Sequence, residues 1–103
     1  MEEKAFPALD EIVAVAARNP HYQIDIKGHT DDIPISTETF PSNWELSSVR
    51  ATSVLRYFVE KGISPDRLTA TGYANTQPLV PNTTEENRSK NRRVEFVFKR
   101  KPL

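Results

Sequence analysis

The sequence predicts an α/β (α+β) two-layer sandwich, in which helices cover a small mixed β-sheet. Three observations carry that prediction. Apolar residues recur at helical spacing through residues 9–17 and 44–59. They alternate strictly with polar ones from Tyr22 to Ile26, and nearly so from Val94 to Phe98, as in strands with one face on a core. The two patterns then take turns along the chain: helix, strand, helix, strand, short helix, strand. Three strands are few, which leaves room for a further edge strand, either before Met1 or donated by a partner.

The first helix opens at Phe6-Pro7-Ala8-Leu9-Asp10-Glu11, because proline in the first turn gives up no needed N–H and acids there suit the helix dipole. Leu9, Ile12, Val13, Ala16 and Ala17 form its buried stripe, and Asn19-Pro20 ends it. Tyr22, Ile24 and Ile26 then mark a strand closed by Gly28, with His29-Thr30-Asp31-Asp32 at its C-terminal edge. Residues 32–42 carry Pro34 and Pro41 and read as loop. Ser42 and Glu45 have capping-box spacing for the long helix that follows. Its predicted core face is Trp44, Ala51, Val54, Leu55, Phe58 and Val59; Asn43, Leu46, Arg50 and Tyr57 line a neighbouring face that suits a cleft wall. Lys61-Gly62 stops this helix and Ser64-Pro65-Asp66 turns the chain. A strand follows within Arg67–Tyr73, with Leu68, Ala70 and Gly72 on one side. The stretch from Ala74 to Asn82 is loop, Thr83 and Glu86 fit a second capping box for a helix to about Asn91, and Val94, Phe96 and Phe98 define the last strand.

With 103 residues the chain predicts one domain, 1–103, with a single modest core. Its 37% hydrophobic and 27% charged residues are those of a globular protein. Lys+Arg and Asp+Glu are 14 each, which argues against a general polyanion binder. Without cysteine there is neither a disulfide framework nor a thiolate metal site. The longest apolar run, IVAVAA, is far short of the roughly 20 residues a membrane span needs. The abrupt MEEKAF opening reads as a cut from something longer, so any membrane anchor would lie outside it.

The stretch from Gly28 to Arg50 is the candidate site. It has acids at one end and Arg50 at the other, an arrangement able to close on one ligand carrying both an ammonium and a carboxylate. Each residue also has a plainer role. Asp31 alone would cap a turn, Asp32 would be solvated or turn-forming, and Arg50 would pair with a surface acid. His29 beside two acids suggests acid–base or metal chemistry, but metal sites need three or four ligands and the only other histidine is His21. A structural hydrogen-bonding role suits His29 better. The cluster Arg88, Lys90, Arg92, Arg93, Lys99, Arg100 and Lys101 lacks the overall basicity and stacking aromatics of a nucleic-acid surface; Arg93 suits a nearby acid and the terminal Lys99-Arg100-Lys101 a solvated tail.

Four ordered blocks go further: Gly28-His29-Thr30-Asp31; Asn43 to Ala51 in the pattern N-x-x-L-S-x-x-R-A; Gly72-Tyr73; and Asn91-Arg92-Arg93-Val94-Glu95. Together they resemble the OmpA-like peptidoglycan-binding domain, and the DDIPI…FPSNWELS wording is most similar to the periplasmic domain of MotB-type flagellar stator proteins. Two departures stand out. Asn87 occupies a position where the family commonly has glycine, and asparagine tolerates the left-handed backbone such a turn would need. The family's first strand, before the first helix, is not apparent.

The resemblance implies an OmpA-C-like fold and a non-catalytic domain that anchors a stator to the cell wall. The ligand would be the peptidoglycan stem, through diaminopimelate, with no cofactor and no metal. Asp31 would accept the ammonium and Arg50 would fork onto the carboxylate. Asn43 and backbone groups near Thr30 would meet amides, Leu46 would lie under the aliphatic chain, and Arg92 would close the far side. A homodimer, a MotA-type membrane partner in the intact protein and a periplasmic location on an inner-membrane protein follow from the same likeness. The alternatives are a general envelope anchor of the OmpA/Pal type and, in a different class, a small hydrolase using His29, Asp31 and Asp32.

Overall fold

The computed structural model describes residues 6–101, and the MEEKA segment lies outside the described residues. Its elements are α1 (Phe6–Arg18), β1 (Tyr22–Gly28), α2 (Asn43–Glu60), β2 (Leu68–Gly72), α3 (Glu85–Asn91) and β3 (Val94–Arg100), with a 3₁₀ turn at Pro65–Arg67 before β2. The sheet runs β2-β1-β3, with β2 parallel and β3 antiparallel to the central β1. It is the mixed two-layer α+β arrangement that the alternating patterns predict.

The core follows from the pleat. Ile24 and Ile26 point to the helices and are fully buried, together with Ala51 and Phe58 of α2 and Ala16 of α1. Phe58 stacks on Phe96 of β3 at 5.6 Å between ring centroids. On the opposite face Asp25 accepts from Thr69 at 2.6 Å and pairs with Lys99 at 2.8 Å, a polar ladder that suits solvent.

Helix α2 approaches the sheet at backbone distance. A Cβ built at Gly28 would overlap the Ser47 carbonyl, and one at Gly72 would overlap the Ser48 hydroxyl. These two glycines are paired across β1 and β2, so the helix rests on a glycine floor at the C-terminal ends of both strands. Ser47, fully buried, faces that floor, whereas Trp44 is 52% exposed and Val59 is also exposed. The expected core face was therefore misplaced at both ends. The close approach selects a small residue where a bulky one was expected, and Trp44, in the first turn, projects past it.

Other boundaries differ by small amounts, each with a local cause. Asp10 and Glu11 fall beyond the first turn of α1; Asp10 instead accepts the Tyr57 hydroxyl, which raises the Tyr57 phenol to about 12. Ala17 is exposed. Ser42 caps α2 as expected, its hydroxyl accepting the Trp44 N–H, but Glu45 accepts the Ser42 hydroxyl at 2.5 Å instead of the backbone N–H of a reciprocal capping box. In α3 the cap is Thr84, not Thr83, accepting the Asn87 N–H at 3.1 Å. Asn87 is thus helical; among the described non-glycine residues the left-handed one is Ala74, at φ 53°. Lys99 and Arg100 belong to β3 rather than to a tail, and the Lys101 N–H donates to the His21 carbonyl.

Candidate functional site

Parallel strands β1 and β2 end side by side at Gly28 and Gly72, the edge where ligands commonly sit in open α/β sheets. The ladder continues one step beyond them, with Tyr73 N–H to Gly28 O and Thr30 N–H to Ala74 O, both at 2.9 Å. Ala74 N–H in turn donates to the Ser47 hydroxyl at 3.0 Å. The chain after β1 is therefore fixed to β2 and α2 before it reaches Asp31.

Asp31 is buried, and each of its carboxylate oxygens has one protein donor. Oδ1 accepts the Ile33 N–H at 3.0 Å, and Oδ2 accepts Arg92 Nη1 at 2.8 Å. The other arm of Arg92 reaches Glu85 at 2.6 Å, so the guanidinium is held between two acids, and Glu85 first and Asp31 second push its pKa upward. The same contact, with help from Arg88, lowers the Glu85 carboxyl. The Thr30 hydroxyl donates to the Asp31 carbonyl at 2.8 Å, and Asn43 Nδ2 donates to the Ile33 carbonyl at 3.0 Å. Thr30, Asp31, Asn43 and Arg92, scattered along the chain from position 30 to position 92, thus form one hydrogen-bonded cluster.

Leu46 and Arg50 lie apart from that cluster, on the wall of a cavity of about 770 Å³ between α1, α2 and β3. Leu9, Ile12, Phe40, Val94 and Phe96 supply much of its apolar lining. Such a volume falls within the range of small-molecule pockets, about 300–1,000 Å³. Arg50 is exposed and, among the described residues, makes no ion pair or side-chain hydrogen bond, so the plainer reading of a surface pair does not hold. Thr30, Asp31, Asn43 and Arg92 do not line the cavity, but the two are neighbours along the chain. Asn43, Leu46 and Arg50 follow one another on α2, and Val94 begins two residues after Arg92.

His29 is 1% exposed and stacks on Tyr73 at 5.3 Å with an 11° tilt. Its Nε2 lies 3.3 Å from Glu95 Oε1, close enough for charge interaction, yet neither ring nitrogen makes a well-formed hydrogen bond among the described residues. The ring stacks on Tyr73 and keeps the Glu95 carboxylate at contact distance, short of the well-formed hydrogen bond expected. Burial, and then the nearby Arg93, hold it below the ordinary histidine pKa, which favours the neutral ring. A sealed neutral ring is poorly placed to exchange protons with a substrate, which weakens the hydrolase alternative. Among the described residues no three metal-ligating side chains converge.

Most of the basic cluster is neutralised in place. Arg88 pairs with Glu85, Lys90 with Glu86, Arg93 with Glu95 and Lys99 with Asp25. Three contributors escaped the sequence reading. Glu85, in the first turn of α3, enters the site through its contact with Arg92. Asn91, fully buried, uses its carboxamide to bind Leu79 N–H, Val80 N–H and the Val80 carbonyl, tying the preceding loop to α3 just before Arg92. Arg67, also buried, donates to the carbonyls of Ala16, Asn19 and Tyr22 at 2.8–3.0 Å and so closes the α1–β1 turn.

Fold and site together describe a small α+β domain with a charged cluster at one sheet edge and an apolar cavity beside it. The chain belongs to the OmpA family, whose model matches residues 1–92. It is 41% identical to motility protein B of Bacillus subtilis over 89% of this chain and 36% of that protein. Among solved structures, a MotB-like protein from Desulfovibrio vulgaris superposes with a TM-score of 0.91 at 45% identity, covering 100% of this chain and 64% of that one. The cell wall anchor of the type VI secretion system of Pseudomonas aeruginosa gives 0.85 at 34% identity, covering 93% of this chain and 66% of that one. The chain spans little more than a third of the length of the curated relatives it matches, 37% and 35% for two of them. No described helix is long and apolar enough to cross a membrane.

Proposed function

We propose that this domain binds peptidoglycan without catalysis and anchors a MotB-type flagellar stator to the cell wall. The handle is the diaminopimelate of the stem peptide, whose free end carries an ammonium and a carboxylate on one carbon. The observation that supports this best is Arg50, a guanidinium with no partner among the described residues, on the wall of a cavity whose α2 side belongs to the helix that also carries Asn43 of the Asp31 cluster. An unpaired Arg fork recognises a carboxylate in two parallel hydrogen bonds.

Asp31 remains able to take an ammonium. A carboxylate offers about four lone-pair positions, and here two donors, Ile33 N–H and Arg92, use two of them. Arg92 would orient that carboxylate as well as close the far side. Asn43 has committed its N–H to Ile33 and keeps its carbonyl oxygen for a stem amide. The Thr30 amide is engaged with Ala74, so Thr30 serves by positioning Asp31. Leu46 lies under the aliphatic chain.

Charge-assisted hydrogen bonds contribute about 1.5–3 kcal/mol each, so two or three, less the cost of association, give an affinity on the order of micromolar to millimolar. In a homodimer on a polymeric wall, effective concentration would turn that into firm anchoring. On this reading the intact protein is an inner-membrane protein with this domain in the periplasm and a MotA-type membrane partner. The likeness to a secretion-system anchor favours one second reading, a general envelope anchor with the same wall-binding chemistry. Incubation with purified sacculi tests the shared claim: the domain should pellet with them and release no muropeptides. Failure to pellet, or soluble fragments, would overturn it.

A further inference from the structure

Arg92 meets Asp31 with one arm only. Its Nη1 donates to Asp31 Oδ2 at 2.8 Å, while its Nη2 donates to Glu85 Oε1 at 2.6 Å. The other Glu85 oxygen accepts Arg88 Nε at 3.2 Å, so Asp31, Arg92, Glu85 and Arg88 form a chain of alternating charge. Asp31 is the most buried side chain of the four, at 12% exposure, and Glu85 the most exposed, at 64%. Capping does not require Glu85, because the Thr84 hydroxyl already accepts the Asn87 N–H at the start of α3. The Glu85 carboxyl is held below its ordinary pKa by Arg92 first and Arg88 second, and therefore stays charged.

We propose that Glu85 is a positioning residue that gives the site its preference for an ammonium: acting through Arg92, it keeps Asp31 open to a cation. The first effect is charge. Without Glu85, Asp31 would end a cluster of two guanidiniums and one carboxylate, whose net positive charge repels an approaching ammonium; with Glu85 the charges cancel, and the carboxylate nearest the ligand prevails. The second effect is geometry. A guanidinium is a planar fork that matches a carboxylate with two parallel hydrogen bonds. Released from Glu85, the second arm of Arg92 would be free to turn onto Asp31 and occupy lone pairs that the ammonium needs. The inference rests on the wall-binding reading and deepens it: Glu85 touches no ligand, yet decides that the ligand is a zwitterion rather than a simple dicarboxylate.

Calorimetric titration with diaminopimelate and with pimelate, which keeps both carboxylates and lacks the ammonium groups, separates charge from shape. Glu85→Gln removes the charge and retains the shape. It should weaken diaminopimelate binding about threefold or more, the scale of one charge acting across an intervening group near the surface. Pimelate binding should stay unchanged or strengthen. Glu85→Asp, which keeps the charge, should recover most of the preference, and the Glu85→Gln loss should shrink as salt is raised. A role confined to the helix dipole or to folding would move both ligands together or neither. Equal weakening of both ligands, or a diaminopimelate preference that Glu85→Gln leaves intact, overturns the inference. Wild type failing to bind diaminopimelate at all is a different result, which strikes the stem reading itself and this inference with it.

Discussion

Replacing Gly28 with alanine places a methyl group inside the Ser47 carbonyl of α2. The obstacle is backbone, so no side-chain rotation relieves it and the helix must move. Forcing an extra carbon into a packed contact costs about 1–3 kcal/mol, occasionally more. For a domain near 100 residues, 1 kcal/mol lowers Tm by about 4–8 °C, so Gly28→Ala should melt at least about 4 °C below wild type. The damage should also be local. Ala74 N–H donates to the Ser47 hydroxyl, and its hydrogen exchange should accelerate as α2 lifts. Gly62→Ala is the contrasting variant: its Cβ meets nothing within 4 Å, so it should lose stability through its φ of 99° alone and leave Ala74 exchange in proportion to global stability. A wild-type Tm for Gly28→Ala, or its rescue by Ser47→Gly, would show that the helix does not rest on that glycine.

Two further outcomes follow from buried groups. Arg67→Ala removes three charge-assisted bonds to the carbonyls of Ala16, Asn19 and Tyr22, and should cost about 3 kcal/mol or more in urea denaturation; Arg67→Lys, unable to fork, should recover only part. His29 is held below its unfolded value of 6.5, so the unfolded chain binds its proton first and stability rises with pH. The His29 contribution is complete above 6.5 and is lost as pH falls from there through the lower folded value. Denaturation at neutral pH and at about pH 5 should show a smaller pH dependence in His29→Gln than in wild type.

Much of the fold was legible because it is written in local periodicity. The alternation at Tyr22–Ile26 and Val94–Phe98 and the Ser42–Glu45 cap each need only near neighbours. What escaped depends on contacts remote in sequence. Ser47 looks like a surface residue until Gly28 and Gly72 are known to sit beneath it, and hydropathy gives a small hydroxyl no weight. Trp44 is apolar and so reads as core, yet in the first turn of α2 it stands 52% exposed. Arg67 reads as the start of a strand, yet closes a turn 45–51 residues earlier. In the site, the ordered motifs point to Asp31 and Arg92 but not to their direct pairing across 61 residues, nor to Glu85, which holds the other arm of Arg92.

The grip of an acid at the end of β1 and a base two turns into α2 on a single zwitterionic carbon is tested most directly by calorimetric titration with diaminopimelate. Wild type should bind saturably in the micromolar to millimolar range. Asp31→Ala and Arg50→Ala should each weaken binding at least about tenfold, with far-UV circular dichroism unchanged. Wild-type affinity in both variants, or binding of pimelate, which lacks the amino groups, as tight as that of diaminopimelate, would contradict it.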